Sequence, residues 1–155
     1  MIKPYKISVP KSTLNNIYKK VRSYPWKMMQ NVNGWEYGTN YNFLKKISQY
    51  WASKYNWKKF ENKINSFKNY KTKVNGINLH FIIEKSKNPK SRPLLLLHGW
   101  PGSVIEFFEI IPRLAHPEKF GGKIEDGFDV IVPSLPGFGF STPIKKALGP
   151  REIDK

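Results

Sequence analysis

The stretch Pro93-Leu94-Leu95-Leu96-Leu97-His98-Gly99-Trp100-Pro101-Gly102-Ser103 constrains this chain more than any other. Four consecutive leucines show no alternation, so they predict a strand buried on both faces. Gly and Pro cannot continue a central strand, so the chain must turn at His98–Gly102. Ser103, with Glu106 three residues on, has the spacing of a capping box that opens a helix. A buried strand, a tight turn and a helix start form the first half of a βαβ unit. In open α/β sheets, ligands bind at the carboxyl ends of such strands. The backbone N–H groups of the turn face that space, where they can meet negative charge.

Composition narrows the classes of protein. The 155 residues are enough for a modest core, and the apolar and aromatic content argues against global disorder. No stretch approaches the ~20 apolar residues of a membrane span. Met1-Ile2-Lys3-Pro4-Tyr5 lacks the apolar core of a signal peptide, and a cytoplasmic location is expected. Peripheral contact with a membrane stays open. There is no cysteine, so disulfides, thiolate chemistry and cysteine-based zinc sites are excluded. No cofactor or metal is expected. The net charge is +16, from 27 basic and 11 acidic residues. The basic residues are mostly Lys, dispersed among Asn, Ile and Tyr, with no Arg-rich stripe and no zinc-finger or RRM signature. Such charge speaks to solubility rather than to a specific nucleic-acid partner.

The N-terminal part reads as helical. Ile7–Pro10 is short and extended. Leu14, Ile17, Tyr18 and Val21 then form one apolar stripe, ended by Tyr24-Pro25-Trp26. Residues 27–38 read as a loop, with turns at Asn33-Gly34 and Tyr37-Gly38. Thr39 or Asn40 caps a second helix whose face carries Phe43, Leu44, Ile47, Tyr50 and Trp51. Asn56 caps a third, with Trp57, Phe60, Ile64 and Phe67. Aromatics at this spacing read as packing faces rather than a cofactor box.

From Tyr70 the period changes to two. Tyr70, Thr72 and Val74 lead into Asn75-Gly76, the strongest short hairpin signal. Ile77, Leu79, Phe81 and Ile83 alternate with Asn78, His80, Ile82 and Glu84. His80 thus lies on the more polar face and is expected to be solvated. After the leucine strand, Val104, Phe107, Phe108 and Ile111 lie on the helix from Ser103, which Pro112 should end or kink. Phe128–Val132 is the next strand, parallel to the leucine strand through a right-handed crossover. Ser134–Ser141 is a second Gly/Pro loop, placed beside His98–Ser103. The tail from Lys145 can begin another helix.

Together these stretches resemble the N-terminal part of a microsomal-type epoxide hydrolase, a member of the α/β-hydrolase superfamily. The likeness rests on Trp51 and Trp57, Asn65 and Phe67, Gly76 and His80-Phe81, the whole of Pro93–Ser103, and Pro133–Ser141. His-Gly-X-Pro alone also occurs in haloalkane dehalogenases, but the aromatic-rich extension with Trp-Pro-Gly-Ser does not. The implied fold class is α/β: a helical extension over residues 1–69, then over 70–155 the first four strands of a hydrolase sheet. That sheet is an antiparallel hairpin followed by parallel βαβ, truncated before the nucleophile elbow.

The resemblance implies a two-step chemistry. An Asp carboxylate attacks an epoxide carbon while two cap-domain tyrosines protonate the oxygen. A His–acid pair then activates water to cleave the ester, yielding a vicinal diol. His98, Gly99, Trp100 and Pro101 become the oxyanion loop, with the Trp100 N–H as a donor and a cis Trp100–Pro101 bond. Pro136, Gly137, Phe138, Gly139 and Phe140 become the pocket edge, and the substrate class is a small hydrophobic epoxide.

No catalytic residue is identifiable, however. Asp126 has Ile124 at −2, Asp129 starts a strand and has Ile131 at +2, and Asp154 has no elbow after it. No Gly-X-Ser-X-Gly appears. The nucleophile, catalytic His, acid partner and cap tyrosines are expected beyond residue 155. His98 belongs to the oxyanion loop and His116 to a polar connection, so neither reads as the base. Alone, the chain is expected to be inactive. The alternative is a non-catalytic binding or interaction protein that keeps the arm and a half-sheet. In either case one side of the leucine strand is expected to lack a partner, which predicts self-association or poor solubility.

Overall fold

A computed structural model describes residues 1–30, 34–145 and 148–149. The turn expected at Asn33-Gly34 and the helix expected from Lys145 lie partly outside these residues. In chain order the elements are β1 (Lys3–Pro4), α1 (Lys11–Arg22), α2 (Tyr41–Ser53), α3 (Trp57–Asn65), β2 (Asn69–Val74), β3 (Ile77–Glu84), β4 (Pro93–Leu95), α4 (Ile111–Ala115) and β5 (Asp129–Pro133). Short 3₁₀ turns connect several of them. The chain divides into two compact units, Ser8–Phe60 and Met1–Ile7 with Glu61–Lys155.

In the Ser8–Phe60 unit, α1 starts directly after Pro10. The Asn40 side chain caps α2 by accepting from the Phe43 N–H at 3.0 Å. Asn56 accepts from the Lys58 N–H at 2.9 Å where α3 starts. Two side chains of α1 reach carbonyls at and just beyond the far end of α2: Arg22 to Ala52 at 2.9 Å and Tyr18 to Tyr55 at 3.3 Å. The apolar stripe of α1 borders a cavity of about 460 Å³, lined by Leu14, Ile17, Tyr18, Ile47, Tyr50, Trp51, Tyr55 and Trp57. Neither α1 nor α2 carries a fully buried residue. Each helix covers only part of the other's stripe, so Phe43, Ile47, Tyr50 and Trp51 stay 43–53% exposed.

The other unit holds a five-stranded sheet in the order β1-β2-β3-β5-β4. β1, β2, β3 and β5 pair antiparallel, and β4 joins β5 in parallel. The hairpin register places Val74 opposite Ile77. Asn75 at φ 49° and Gly76 at φ 82° make the left-handed pair that a two-residue hairpin requires. The core is centred on Ile82 and Val132, which face each other across β3 and β5, with Val130, Ile64 and Ile111 also fully buried. Asn65 ties the N-terminal strand segment to this core. Its amide donates to Ile7 O at 2.7 Å and accepts from Ile7 N–H at 2.9 Å.

Three local expectations are corrected. The leucine strand is buried on neither face throughout: Leu94 and Leu96 are half-buried, while Leu95 and Leu97 are each 56% exposed. Among the described residues β4 is an edge strand paired with β5 alone, and Leu95 in it and Leu97 just beyond it are both uncovered. The helix from Ser103 is two pieces. A 3₁₀ turn over Val104–Phe107 is capped by the full Ser103–Glu106 box, and α4 follows with Pro112 in its first turn. Pro112 therefore starts a helix rather than ending one, because its missing N–H is harmless there. The third correction concerns His80, which is buried.

Candidate functional site

Because β4 and β5 run parallel, their carboxyl ends emerge along the same edge of the sheet. Two loops begin there, His98–Ser103 and Ser134–Ser141. The first is tight. Its Trp100–Pro101 bond is cis. A Cβ on Gly102 would sit 2.6 Å from the Gly99 carbonyl oxygen, so only glycine allows this close approach. Ser103 closes the loop by donating its N–H to Glu106 at 3.0 Å. Trp100 is 83% exposed, and its N–H donates to no acceptor among the described residues.

His98 joins the two loops. It is buried, and its Nε2 accepts the Leu135 N–H at 3.0 Å. With its lone pair committed there, the ring proton is on Nδ1, which donates to Gly99 O at 3.0 Å. Phe138 meets the ring edge-on, with centroids 5.3 Å apart. Both nitrogens are occupied, so His98 has no free lone pair with which to take a proton from water. The structure thus brings His98 and Phe138 together and leaves Trp100 facing outward.

The second loop is folded on itself. Gly137 donates to Ser141 O at 3.0 Å, Phe138 to Leu135 O at 2.9 Å and Ser141 to Phe138 O at 2.9 Å. Gly137 and Gly139 take φ values of 88° and 49°. Its two ends, Ser134 and Ser141, are fully buried, and both serines meet His80.

His80 is fully buried rather than solvated. Its face of β3 is the one that carries Ile82, and Tyr5 and Phe140 close over the ring. Its Nδ1 lies 2.9 Å from Ser134 Oγ and its Nε2 lies 3.0 Å from Asn69 Oδ1. The Asn69 amide nitrogen donates to the Ile64 and Phe67 carbonyls, both at 2.8 Å, so its oxygen must face the imidazole. The imidazole therefore carries its proton on Nε2, and Ser134 donates to Nδ1. Burial, then the nearby Lys71 ammonium, pushes His80 down to about 4. Ile82 two residues on, together with serines and an asparagine near strand ends, was the sequence signal for a satisfied core histidine.

The remaining titratable candidates lie elsewhere. His116 Nε2 lies 3.0 Å from Glu84 Oε1. Asp126 accepts from the Lys123 N–H. The Lys85 ammonium, the Ser86 N–H and the Ser91 hydroxyl hold Asp129 below the usual carboxylate range. Among the described residues, no three His, Asp or Glu side chains converge as a metal-binding group, and no helix is long and apolar enough to cross a membrane.

A mixed sheet with a hairpin, a parallel crossover and two Gly/Pro loops at adjoining strand ends defines a part of the α/β-hydrolase fold. Residues 92–151 match the family described as alpha/beta hydrolase fold, and residues 2–107 match the one described as Epoxide hydrolase N terminus. The chain belongs to the epoxide hydrolase family. A putative epoxide hydrolase of Stigmatella aurantiaca (strain DW4/3-1) is 43% identical over 155 residues, covering 99% of this chain and 35% of that protein. Epoxide hydrolase 1 of Oryctolagus cuniculus is 38% identical over 151 residues, covering 94% and 33%. Among solved structures, the juvenile hormone epoxide hydrolase of the silkworm Bombyx mori superposes with a TM-score of 0.83 at 32% identity, covering 99% of this chain and 37% of that one. The chain spans about a third of the length of these relatives.

Proposed function

We propose that the chain is the N-terminal portion of an enzyme that hydrolyses small hydrophobic epoxides to vicinal diols. Residues 1–69 form its helical arm and 70–155 the first part of its catalytic domain. One observation supports the reading above the others: the Leu135 N–H bond to His98 Nε2, which holds the two strand-end loops together. In this reading an Asp carboxylate, contributed from beyond residue 155, opens the epoxide by attack on carbon. The epoxide oxygen takes a proton from a tyrosine. Water, deprotonated by a His–acid pair, then adds to the ester carbonyl. The resulting oxyanion accepts from the Trp100 N–H, which has no other acceptor among the described residues, and its collapse expels the diol oxygen, which takes a proton from the histidine. Pro136, Gly137, Phe138, Gly139 and Phe140 form the pocket edge, and His98 with Gly99 and Pro101 hold the donor in place.

The chain alone is inactive in this proposal, because neither Asp126, which ends a 3₁₀ turn, nor Asp129, which starts a strand, stands on a strand-to-helix elbow. The exposed Leu95 and Leu97 on the β4 edge favour self-association of the isolated chain. A cytoplasmic location belongs to the same reading. Sequencing the transcript past residue 155 is the test. An in-frame Gly-X-Asp-X-Gly elbow is expected. An authentic stop there, with no diol formed from an aryl epoxide, would leave a non-catalytic interaction protein instead.

A further inference from the structure

The proposed chemistry does not use His80, yet it is fully buried with both ring nitrogens hydrogen-bonded. We propose that His80 is a positioning residue: as a neutral imidazole with its proton on Nε2, it fixes the Ser134–Ser141 segment, and through Leu135 the His98–Pro101 loop, at the ends of β4 and β5. What the two loops do rests on the proposed function; how they are held does not.

The geometry is a chain of directed bonds. Asn69, oriented by the Ile64 and Phe67 carbonyls, accepts from Nε2. Ser134 donates to Nδ1. The His80 backbone N–H donates to Ser141 Oγ at 2.9 Å, and that hydroxyl passes its own proton to Ser134 O at 2.7 Å. Ser134 N–H returns to His80 O at 2.9 Å. Both ends of the segment are therefore bound to a single residue of β3. The next amide, Leu135 N–H, is the one that His98 accepts.

This arrangement depends on the charge of His80. A proton on Nδ1 would turn the Ser134 bond around, making the ring the donor and leaving the Ser134 proton to find another acceptor. Gly139 lies beside that corner, where an added Cβ would come within 3.0 Å of Ser134 Oγ. The groups that face the ring offer no counter-charge. They are Lys71 from β2, Tyr5 after β1, Asn69, the two serines and Phe140. The Lys71 ammonium lies 4.0 Å above the Tyr5 ring. An imidazolium here would be a buried cation beside the half-buried Lys71 ammonium, and the segment is released when it forms.

The test uses the whole 155-residue chain and needs no turnover. Long-range ¹⁵N NMR of the histidine rings should show opposite tautomers, Nε2–H for His80 and Nδ1–H for His98. On acidification from 6.5 toward 4, the Gly137, Phe138 and Ser141 amides should lose about tenfold or more of their exchange protection before those of Ile82 and Val132 do. His80→Gln should abolish that pH step. Ser134→Ala, which leaves the imidazole in place, should shrink it while lowering loop protection at neutral pH. An Nδ1–H tautomer at His80 would overturn the proposal. So would loop and sheet amides opening together at one midpoint, or an unchanged step in Ser134→Ala. An in-frame stop after residue 155 would sink the proposed function and leave these results untouched.

Discussion

The Ser8–Phe60 unit and the sheet unit are built from similar apolar residues, and they bury them differently. In the sheet unit Ile82, Val130, Val132 and Ile111 are fully buried, and even the polar residues His80, Ser134 and Ser141 are sealed. In the helical unit neither α1 nor α2 has one fully buried side chain, and Trp51 and Trp57 border an apolar cavity. Charge divides in the same way. The helical unit has ten Lys and Arg residues and one acid, Glu36. In the sheet unit, carboxylates pair with Lys63, Lys85 and Lys87. A sheet that pairs its strands closes its own core. Two amphipathic helices leave half of each stripe in water.

The contrast breaks most sharply on one methyl-rich side chain. Ile82→Ala should destabilise the sheet unit by about 2–5 kcal/mol, since the site is walled by paired strands and cannot collapse. Urea unfolding followed by far-UV circular dichroism measures it. A loss below about 1 kcal/mol would mean that Ile82 and Val132 are not the closed core described here.

Acidification comes next. His80 has an ordinary value of 6.5 and is pushed down to about 4 in the folded chain, first by burial and then by Lys71. The unfolded chain therefore takes up the proton at higher pH than the folded one. Stability from this residue is complete above 6.5 and is lost as pH falls toward 4, with a total of roughly 3 kcal/mol. Asp129 also loses stability on acidification, but its ordinary value is 3.8, so its window lies below that of His80. Melting temperatures across this range, compared with those of His80→Gln, separate the two. A variant with the same slope as the parent would assign the pH dependence elsewhere.

These two cases show what was legible in the residues. The hairpin at Asn75-Gly76 and the Ser103–Glu106 box follow from local chemistry that acts within a few residues, the parallel pairing of β4 with β5 follows from the crossover that joins them, and all are present. His80 was misplaced because alternation assigns a face but not what covers it. The covering groups, Tyr5, Asn69 and Phe140, come from three separate parts of the chain. The leucine strand failed for the same reason. Its uniform composition describes a strand fit for two covered faces, whereas coverage depends on neighbours in the sheet. The loops His98–Pro101 and Pro136–Phe140 were placed side by side because parallel strands put them at one edge, but the His98–Leu135 bond between them carries no local signal.

Smaller effects test the sheet edge and the caps. Leu95→Lys should shift the isolated chain toward monomer in sedimentation velocity, because a charge on an edge strand disfavours pairing. An unchanged sedimentation profile for a self-associating parent would place the contact elsewhere. Asn40→Ala should cost about 1 kcal/mol through the lost bond to the Phe43 N–H, and Asn40→Gly only a few tenths. If Ala and Gly cost the same, the side chain is not acting as the cap.

A small effect is also expected at one of the largest side chains. Trp51 is 43% exposed on α2 beside the apolar cavity, so Trp51→Ala removes a ring already half in water. Burial energy scales with the area removed from water, and much of this area is not removed. The loss should be about 1 kcal/mol or less, well below the ~3–5 kcal/mol of a fully buried Trp. Thermal melts of Trp51→Ala and Ile82→Ala, run side by side, put the two units on one scale. Equal costs would show that the α2 face is covered in solution, and the division between a closed sheet core and an open helical stripe would fail.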